Sequence, residues 1–364
     1  MRNVVERVEV KAYRIPTEEP ESDGTCLWDE TVMVAVHLYC KGVRGFGYSY
    51  AHESAATLIR DRLGELVRGR DPFDIPGCRL ALNGALRNLG DAGIGMMAVS
   101  AVDAALWDLK ARLLELPLVS LLGGARESVP VYGSGGFTSY TVEKLERQLS
   151  GWAERGITRV KMKVGRDPVA DPERVAAARR AIGQETGLMV DANGGYARKE
   201  ALRLARLFAA QGVDWFEEPV SHRDREGLRL VRDLAPEGME VSSGEYGFNA
   251  RYFLDLLRDG CVDVMQADAT RCGVTGFLEA AALCEAWHIP LSSHCAPALH
   301  LHLCCTATSV RHLEYFHDHV RIERRLLEGV VEPHEGSLFP DLTRHGHGLS
   351  LREDEAKRFE IRPL

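Results

Sequence analysis

From residue 129 onward the chain alternates two kinds of hydrophobic pattern. Short runs rich in β-branched residues predict eight strands: Val129–Tyr132, Arg159–Val164, Leu188–Asp191, Asp214–Glu217, Val241–Gly244, Val262–Gln266, Pro290–His294 and His312–Tyr315. Longer amphipathic stretches lie between them. One is Asp171–Ile182, which the pattern opens with an Asp N-cap and a proline at the first helical position. A helix between successive strands forces parallel pairing through right-handed crossovers. Eight such units predict an α/β protein whose sheet closes into a (β/α)-barrel of the TIM type.

The segment before the barrel, residues 1–125, reads as α+β. Val4–Arg14 and Thr31–Cys40 show strand-like alternation, with a polar, turn-rich loop between them at Thr17–Gly24. Helical spacing follows at Ser54–Arg68 and at Ala98–Leu114, where Ala98, Val102, Ala105 and Leu109 share one face. Leu121-Leu-Gly-Gly supplies a helix stop. The barrel is expected over 126–325. After it, Pro333, Gly336, Pro340, Gly346 and Gly348 punctuate an irregular tail, 326–364, expected to pack back on the first segment.

Composition narrows the function classes. The 364 residues carry a formal net charge of −8, and no Lys/Arg-rich run or basic aromatic stripe appears, so no nucleic-acid partner is expected. No run approaches the roughly 20 apolar residues of a membrane span. The start, Met1-Arg-Asn-Val-Val-Glu, lacks the apolar core of a signal peptide. The nine cysteines form no C-x-x-C pair and read as small buried side chains in a reducing cytosol. A cytoplasmic enzyme is the expectation.

The chemistry gathers where the strands end. Lys161 and Lys163, Asp191, Glu217 with Glu218, Glu245, Asp268, His294 and Glu314 follow one another at the strand C-termini. From Lys163 onward successive sites are spaced by about one βα unit. In a barrel those ends share one mouth, so they converge. Asp191, Glu217 and Glu245 there would repel one another unless a cation neutralised them, and an all-oxygen set favours Mg²⁺, with Mn²⁺ as a substitute. Alone, each acid would more often be a helix cap or a surface charge. Alternation places Lys161 and Lys163 on one strand face, where each ammonium disfavours the other's charge and one pKa falls toward that of a neutral-pH base. A lone K-x-K pair also occurs on many surface strands. Asp268, one strand before His294, would fix the imidazole tautomer and form an acid/base dyad. His300, His302, His317 and His319 lack such a partner and read as structural or rim residues.

Together these residues resemble the enolase superfamily, mandelate racemase subgroup. The resemblance covers nearly the whole chain. It runs through Ala101-Val-Asp-Ala-Ala-Leu-Trp-Asp-Leu, Leu121-Leu-Gly-Gly, Val160-Lys-Met-Lys-Val-Gly, Val190-Asp-Ala-Asn, Trp215-Phe-Glu-Glu-Pro, Gly244-Glu245, Gln266-Ala-Asp-Ala-Thr, Ser292-Ser-His and His312-Leu-Glu. It implies an N-terminal capping domain over the barrel, closed by the C-terminal tail, and Mg²⁺ on Asp191, Glu217 and Glu245. It implies Lys163 as one base with Lys161 as its electrostatic partner, the His294–Asp268 dyad on the opposite face, and Glu314 bonded to a substrate carboxylate oxygen. Asn193 and Glu218 look like residues supporting the metal ligands. An aspartate rather than a lysine at 268 is similar to the mandelate racemase type. Arg271-Cys-Gly-Val-Thr-Gly carries one glycine where that family usually has two.

The reaction so implied is abstraction of the proton α to a carboxylate. The preferred reading is dehydration of a sugar acid to a 2-keto-3-deoxy acid, because the group the chain resembles is rich in acid-sugar dehydratases and the expected cap loops are polar. One carries Glu18, Glu19, Glu21, Asp23 and Trp28; the other carries Tyr48, Tyr50, His52 and Glu53. The turn Tyr132-Gly-Ser-Gly-Gly-Phe lacks a dinucleotide fingerprint, and Ser134 there is a further candidate for substrate contact. Racemisation or epimerisation of a 2-hydroxy acid is the alternative. A hydrolase using metal-bound water and a catalytically inactive barrel that only binds are the rivals from other classes. The expected partners are a small hydroxy or sugar acid and copies of the chain itself, since the resemblance implies a dimer or an octamer.

Overall fold

The computed structural model describes residues 3–361. The outer tips of the expected first and last segments, 1–2 and 362–364, lie outside the described residues. Three antiparallel strands open the chain: β1 (Arg7–Ser22), β2 (Leu27–Cys40) and β3 (Val43–Tyr50). Alternate side chains of β2 enter different cores. Val34, Val36, Leu38 and Cys40 pack against the cap's own helices, including Ile94–Leu113, while Met33 and Ala35 join the large core that includes the barrel. A sheet buried on both faces needs apolar residues at consecutive positions, and Val32–Val36 carries them.

Two expectations in this region are corrected. The segment Thr17–Ser22 is not a loop. It continues β1, with a register shift between Pro16 and Glu21, and only residues 23–26 turn. Tyr48 and Tyr50 lie not in a loop but on β3, whose glycines hid it. A Cβ on Gly47 would meet the Ala105 backbone nitrogen at 2.3 Å, so glycine is required for the close approach of helix Ile94–Leu113 to the sheet. The expected helix Ser54–Arg68 exists but is broken by a π-helical turn at Ile59–Leu63, and a further helix spans Ile75–Leu86.

The eight barrel strands are β4 (Val129–Gly135), β5 (Arg159–Lys163), β6 (Gly187–Asp191), β7 (Val213–Glu217), β8 (Glu240–Ser243), β9 (Val264–Ala267), β10 (Leu291–Ser293) and β11 (Val310–Phe316). All pair in parallel with their sequence neighbours, and β11 returns to β4, so the sheet has no free barrel edge. Asp171 is the first helical residue rather than the N-cap. Its carboxylate instead accepts from the Gly165 amide at 2.9 Å and the Tyr196 hydroxyl at 2.5 Å. Inside the barrel Tyr132, Met189, Trp215 and Val264 form a small apolar cluster. Met189 and Trp215 stand two residues before Asp191 and Glu217, so strand alternation makes this cluster the floor beneath the polar mouth.

The chain after 326 touches both bodies. Ser337–Leu338 adds antiparallel to β4, and the Ile361 amide donates to the Ala12 carbonyl at 2.8 Å. Asp108 ties cap and tail together. Its buried carboxylate accepts from the Phe46 amide (2.7 Å), the His347 amide (2.9 Å) and Arg112 Nε (2.6 Å). Asp108→Ala strands three donors, one of them charged. We expect it to lower stability by about 3–5 kcal/mol in denaturant unfolding, whereas a loss under 1 kcal/mol would refute this anchoring role.

Candidate active site

Parallel register builds the mouth. Lys163 sits opposite Asp191, Asp191 opposite Glu217, and Glu217 opposite Ser242, across four adjacent strands. Glu245 follows two residues beyond β8. The bend that brings it inward is Gly244 at φ +138°, where a Cβ would meet the Gln266 carbonyl oxygen at 2.2 Å. Ligand atoms of Asp191, Glu217 and Glu245 consequently lie within 4.8 Å of one another, all buried. Asp268 and His294 directly follow the next two strands, and Glu314 lies within β11.

Cations enclose these acids. Lys161 Nζ lies 2.6 Å from Glu217 Oε1, 2.8 Å from Glu314 Oε1 and 3.8 Å from Asp191 Oδ2. Lys163 donates to Asp191. Trp215 Nε1 donates to Glu217 Oε2 at 3.1 Å. His294 Nδ1 is 2.8 Å from Asp268 Oδ2, and its Nε2 is 3.3 Å from Glu245 Oε2. The single glycine of Arg271-Cys-Gly leaves this dyad intact, with Gly273 at φ +79° breaking the helix behind it.

The expected depression of a lysine pKa is corrected. Burial, then the neighbouring ammonium, push Lys163 down, but Asp191 together with Glu217 and Glu245 holds it above the ordinary value. Burial likewise opposes charge on Lys161, and Glu217 with Glu314 overcomes it. Burial, then Asp191, pushes Glu217 up to about 8. Burial and Glu245 raise Glu218 well above the carboxylate range. Against burial, His294 holds Asp268 low, while Glu245 and Asp268 hold His294 high.

The triad suits a hard dication. It is all oxygen and buried, and Glu245 Oε2 makes no hydrogen bond despite its imidazole neighbour. Asn193 presents its amide to Asp191 Oδ1 at 2.8 Å and leaves its side-chain oxygen unpartnered, while Glu218 accepts from Ser243 Oγ at 3.1 Å.

A cavity of about 490 Å³ opens over the mouth. Lys163, Asn193, Glu245, Asp268 and His294 line it from the barrel, and Trp28, Tyr50 and His52 line it from the cap. Ser134 is fully buried within β4 with its hydroxyl unpartnered. Tyr48 is tied by its hydroxyl to Glu323 at 2.7 Å. Glu19 pairs with Lys144, and Glu53 with Arg14. His300 accepts the Ala269 amide at 2.8 Å, whereas His319, read as a rim residue, stacks on Tyr50 at 3.6 Å and lines the cavity. Sequence reasoning missed Arg271, Tyr246, Cys295 and Asp318, which also line it. Arg271 and Cys295 lie next to recognised motifs, and that adjacency was the available signal. Of the nine cysteines only Cys26 is exposed, and all are free. Among the described residues no helix is long and apolar enough to cross a membrane.

A capped barrel with acids at successive strand ends is the architecture of an enolase-type active site. The chain belongs to the mandelate racemase / muconate lactonizing enzyme family: residues 8–123 match its N-terminal domain, and residues 144–355 match the enolase C-terminal domain-like family. A mandelate racemase/muconate lactonizing enzyme-like protein from Rubrobacter xylanophilus is 52% identical, with a TM-score of 0.96 over 98% of this chain and 100% of that one. A racemase from Streptomyces coelicolor with bound magnesium is 30% identical, with a TM-score of 0.92 over 98% of this chain and 100% of its own. The L-talarate/galactarate dehydratase of Salmonella typhimurium is 31% identical over 98% of this chain and 90% of its own length. Its crystal structure liganded with Mg and L-lyxarohydroxamate gives a TM-score of 0.90, covering 100% of this chain and 94% of that one.

Replacing Asp268 with Asn removes the anion that holds the His294 imidazolium. The His294 pKa should therefore fall, read by NMR titration of the ring proton. An unchanged or higher value would show that Asp268 does not set its charge.

Proposed function

We propose that this chain is a Mg²⁺-dependent enzyme that removes the proton α to the carboxylate of a sugar acid. It then expels the β-hydroxyl to give a 2-keto-3-deoxy acid. The observation that carries this reading is the placement of two proton-transfer groups at opposite ends of one carboxylate triad. Lys163 touches Asp191, and His294 Nε2 faces Glu245.

Asp191, Glu217 and Glu245 would hold the Mg²⁺. Bound there, it supplies Lewis-acid stabilisation of the negative charge that develops on the substrate carboxylate. With Asp191 engaged in holding the ion, Lys163 would lose part of the attraction that keeps it protonated and could approach the pKa of a working base. Lys161 adds a fixed positive charge beside Glu314, and Glu314, once it carries a proton to donate, would bond the substrate carboxylate oxygen. Lys163 takes the α-proton. His294, kept protonated by Asp268, gives its Nε2 proton to the departing hydroxyl.

The cavity wall supports a polyol rather than an apolar substrate. The Tyr50 hydroxyl and the Asn193 side-chain oxygen are buried without partners, and Trp28, His52, Glu30 and Thr31 complete a polar lining. The same two opposed groups would also serve racemisation, in which His294 returns a proton to the α-carbon. The likeness to a racemase keeps that as the second reading.

A library of mono- and diacid sugars screened with a keto-acid assay identifies the substrate. Lys163→Ala and His294→Asn should each lower turnover by at least about 10²–10⁴-fold, with Mg²⁺ affinity by calorimetry nearly unchanged. Full activity in both variants would defeat the assignment. Deuterium wash-in at the α-carbon without keto-acid release would move the reaction to epimerisation. Mg²⁺ at 100 times its Kd should stabilise the fold by about 2.7 kcal/mol, and an unshifted melting temperature would argue against the metal.

A further inference from the structure

Behind the acid/base histidine the structure gathers a second set of donors, of different chemistry from the carboxylate triad. Ligand atoms of His294, Cys295 and Glu314 lie within 4.8 Å of one another, and all three residues are buried. Cys295 Sγ is 3.3 Å from His294 Nε2, the same nitrogen that faces Glu245 Oε2. That Glu245 oxygen is buried and makes no hydrogen bond. The backbone creates the arrangement. Cys295 and Ala296 both take left-handed φ angles, +54° and +37°, held by the Cys295 amide donating to Glu314 Oε2 at 2.6 Å and the Ala296 amide donating to His319 Nδ1 at 3.1 Å. Cys295 and His294 both line the cavity, so a solute can reach them.

We propose that His294 Nε2, Cys295 Sγ and a Glu314 carboxylate oxygen form a second cation site, selective for thiophilic dications such as Zn²⁺ or Co²⁺, whose occupation inhibits the enzyme. Thiolate and imidazole select Zn²⁺ and Co²⁺, whereas the all-oxygen triad suits Mg²⁺, so the two sites are separated by ligand softness. On binding, the S–H bond of Cys295 and the Nε2–H bond of His294 break, both protons leave to solvent, and the sulfur and nitrogen lone pairs join the metal. The Nε2 lone pair is then engaged, so His294 can neither accept nor donate a proton.

The test uses Co²⁺ as the probe on the full chain held in excess Mg²⁺. Co²⁺ that merely exchanges into the triad has no sulfur ligand and gives no sulfur-to-cobalt charge transfer. Occupation of the proposed site gives a near-ultraviolet charge-transfer band that saturates at one equivalent. Cys295→Ser and Cys295→Ala should both abolish the band and weaken Co²⁺ and Zn²⁺ binding at least tenfold, while Cys26→Ser, at the exposed cysteine, keeps it. Absence of the band in the unmodified protein, or its survival in a folded Cys295 variant, would overturn the proposal. The readout needs no substrate, so it fails or succeeds independently of the assigned reaction. Where turnover is measured, Zn²⁺ should inhibit at saturating Mg²⁺, and uninhibited turnover with the band present would overturn the inhibitory role.

Discussion

An excess of buried negative charge governs this molecule. Asp191, Glu217, Glu218, Glu245, Asp268 and Glu314 are all buried at one end of the barrel. The permanent cations facing them are Lys161, Lys163 and Arg271, with the His294 imidazole as a fourth when protonated. Removing an ion from water costs several kcal/mol unless an opposite charge or good hydrogen bonds offset it. The imbalance shows in the acids themselves. Glu217 and Glu218 are driven toward their neutral forms, whereas Asp268 and Glu314, each held by a cation, stay ionised. Such a site is complete only with added positive charge, and the hardness of its oxygen donors decides which kind.

The fold tolerates this cost because the charges stand on its stiffest part. Parallel register fixes Lys163, Asp191 and Glu217 side by side, and a closed barrel offers no edge along which one strand could slip past the next. Beneath them Tyr132, Met189, Trp215 and Val264 form an apolar floor, and Trp215 reaches upward to bond Glu217. Above them the cap sheet is buried on both faces, so it cannot shift without disturbing either its own helices or the barrel core. Placement on rigid elements lets repelling groups be held close, which is the condition for preorganised electrostatics.

Legibility in the sequence followed the strength of the local constraint. The barrel strands were readable because each must be apolar toward the helices and must end in a residue pointing into the mouth. Asp191 and Glu217 terminate their strands to the residue. The strand β3 was not readable, because its glycines serve a helix that lies some fifty residues downstream in sequence, and glycine in isolation signals a turn. The segment Thr17–Ser22 misled for the opposite reason. Its polar composition suits a loop, yet pairing with β2 and packing on the barrel hold it extended, with Glu21 buried beside Tyr140. The pKa of Lys163 was misjudged because alternation reveals the second ammonium on the same strand but not the distance to the carboxylate on the next. That distance sets the larger effect.

The division between barrel and cap also separates the charged cluster from the cavity wall. The clustered acids and cations come from β5 to β11, where altering one residue disturbs its partners in the same cluster. The cavity wall instead arises from pairs that meet across the two bodies. Trp28 Nε1 donates to Asp318 Oδ2 at 3.2 Å, and Tyr50 stacks on His319 at 3.6 Å. Each pair joins a cap strand to the first turns after β11 and touches none of Asp191, Glu217 and Glu245. A substitution there reshapes the outer part of the cavity and leaves the acidic cluster intact. Barrel residues therefore carry the charged cluster, and the outer wall of the cavity consists of contacts that exist only once cap and barrel are together.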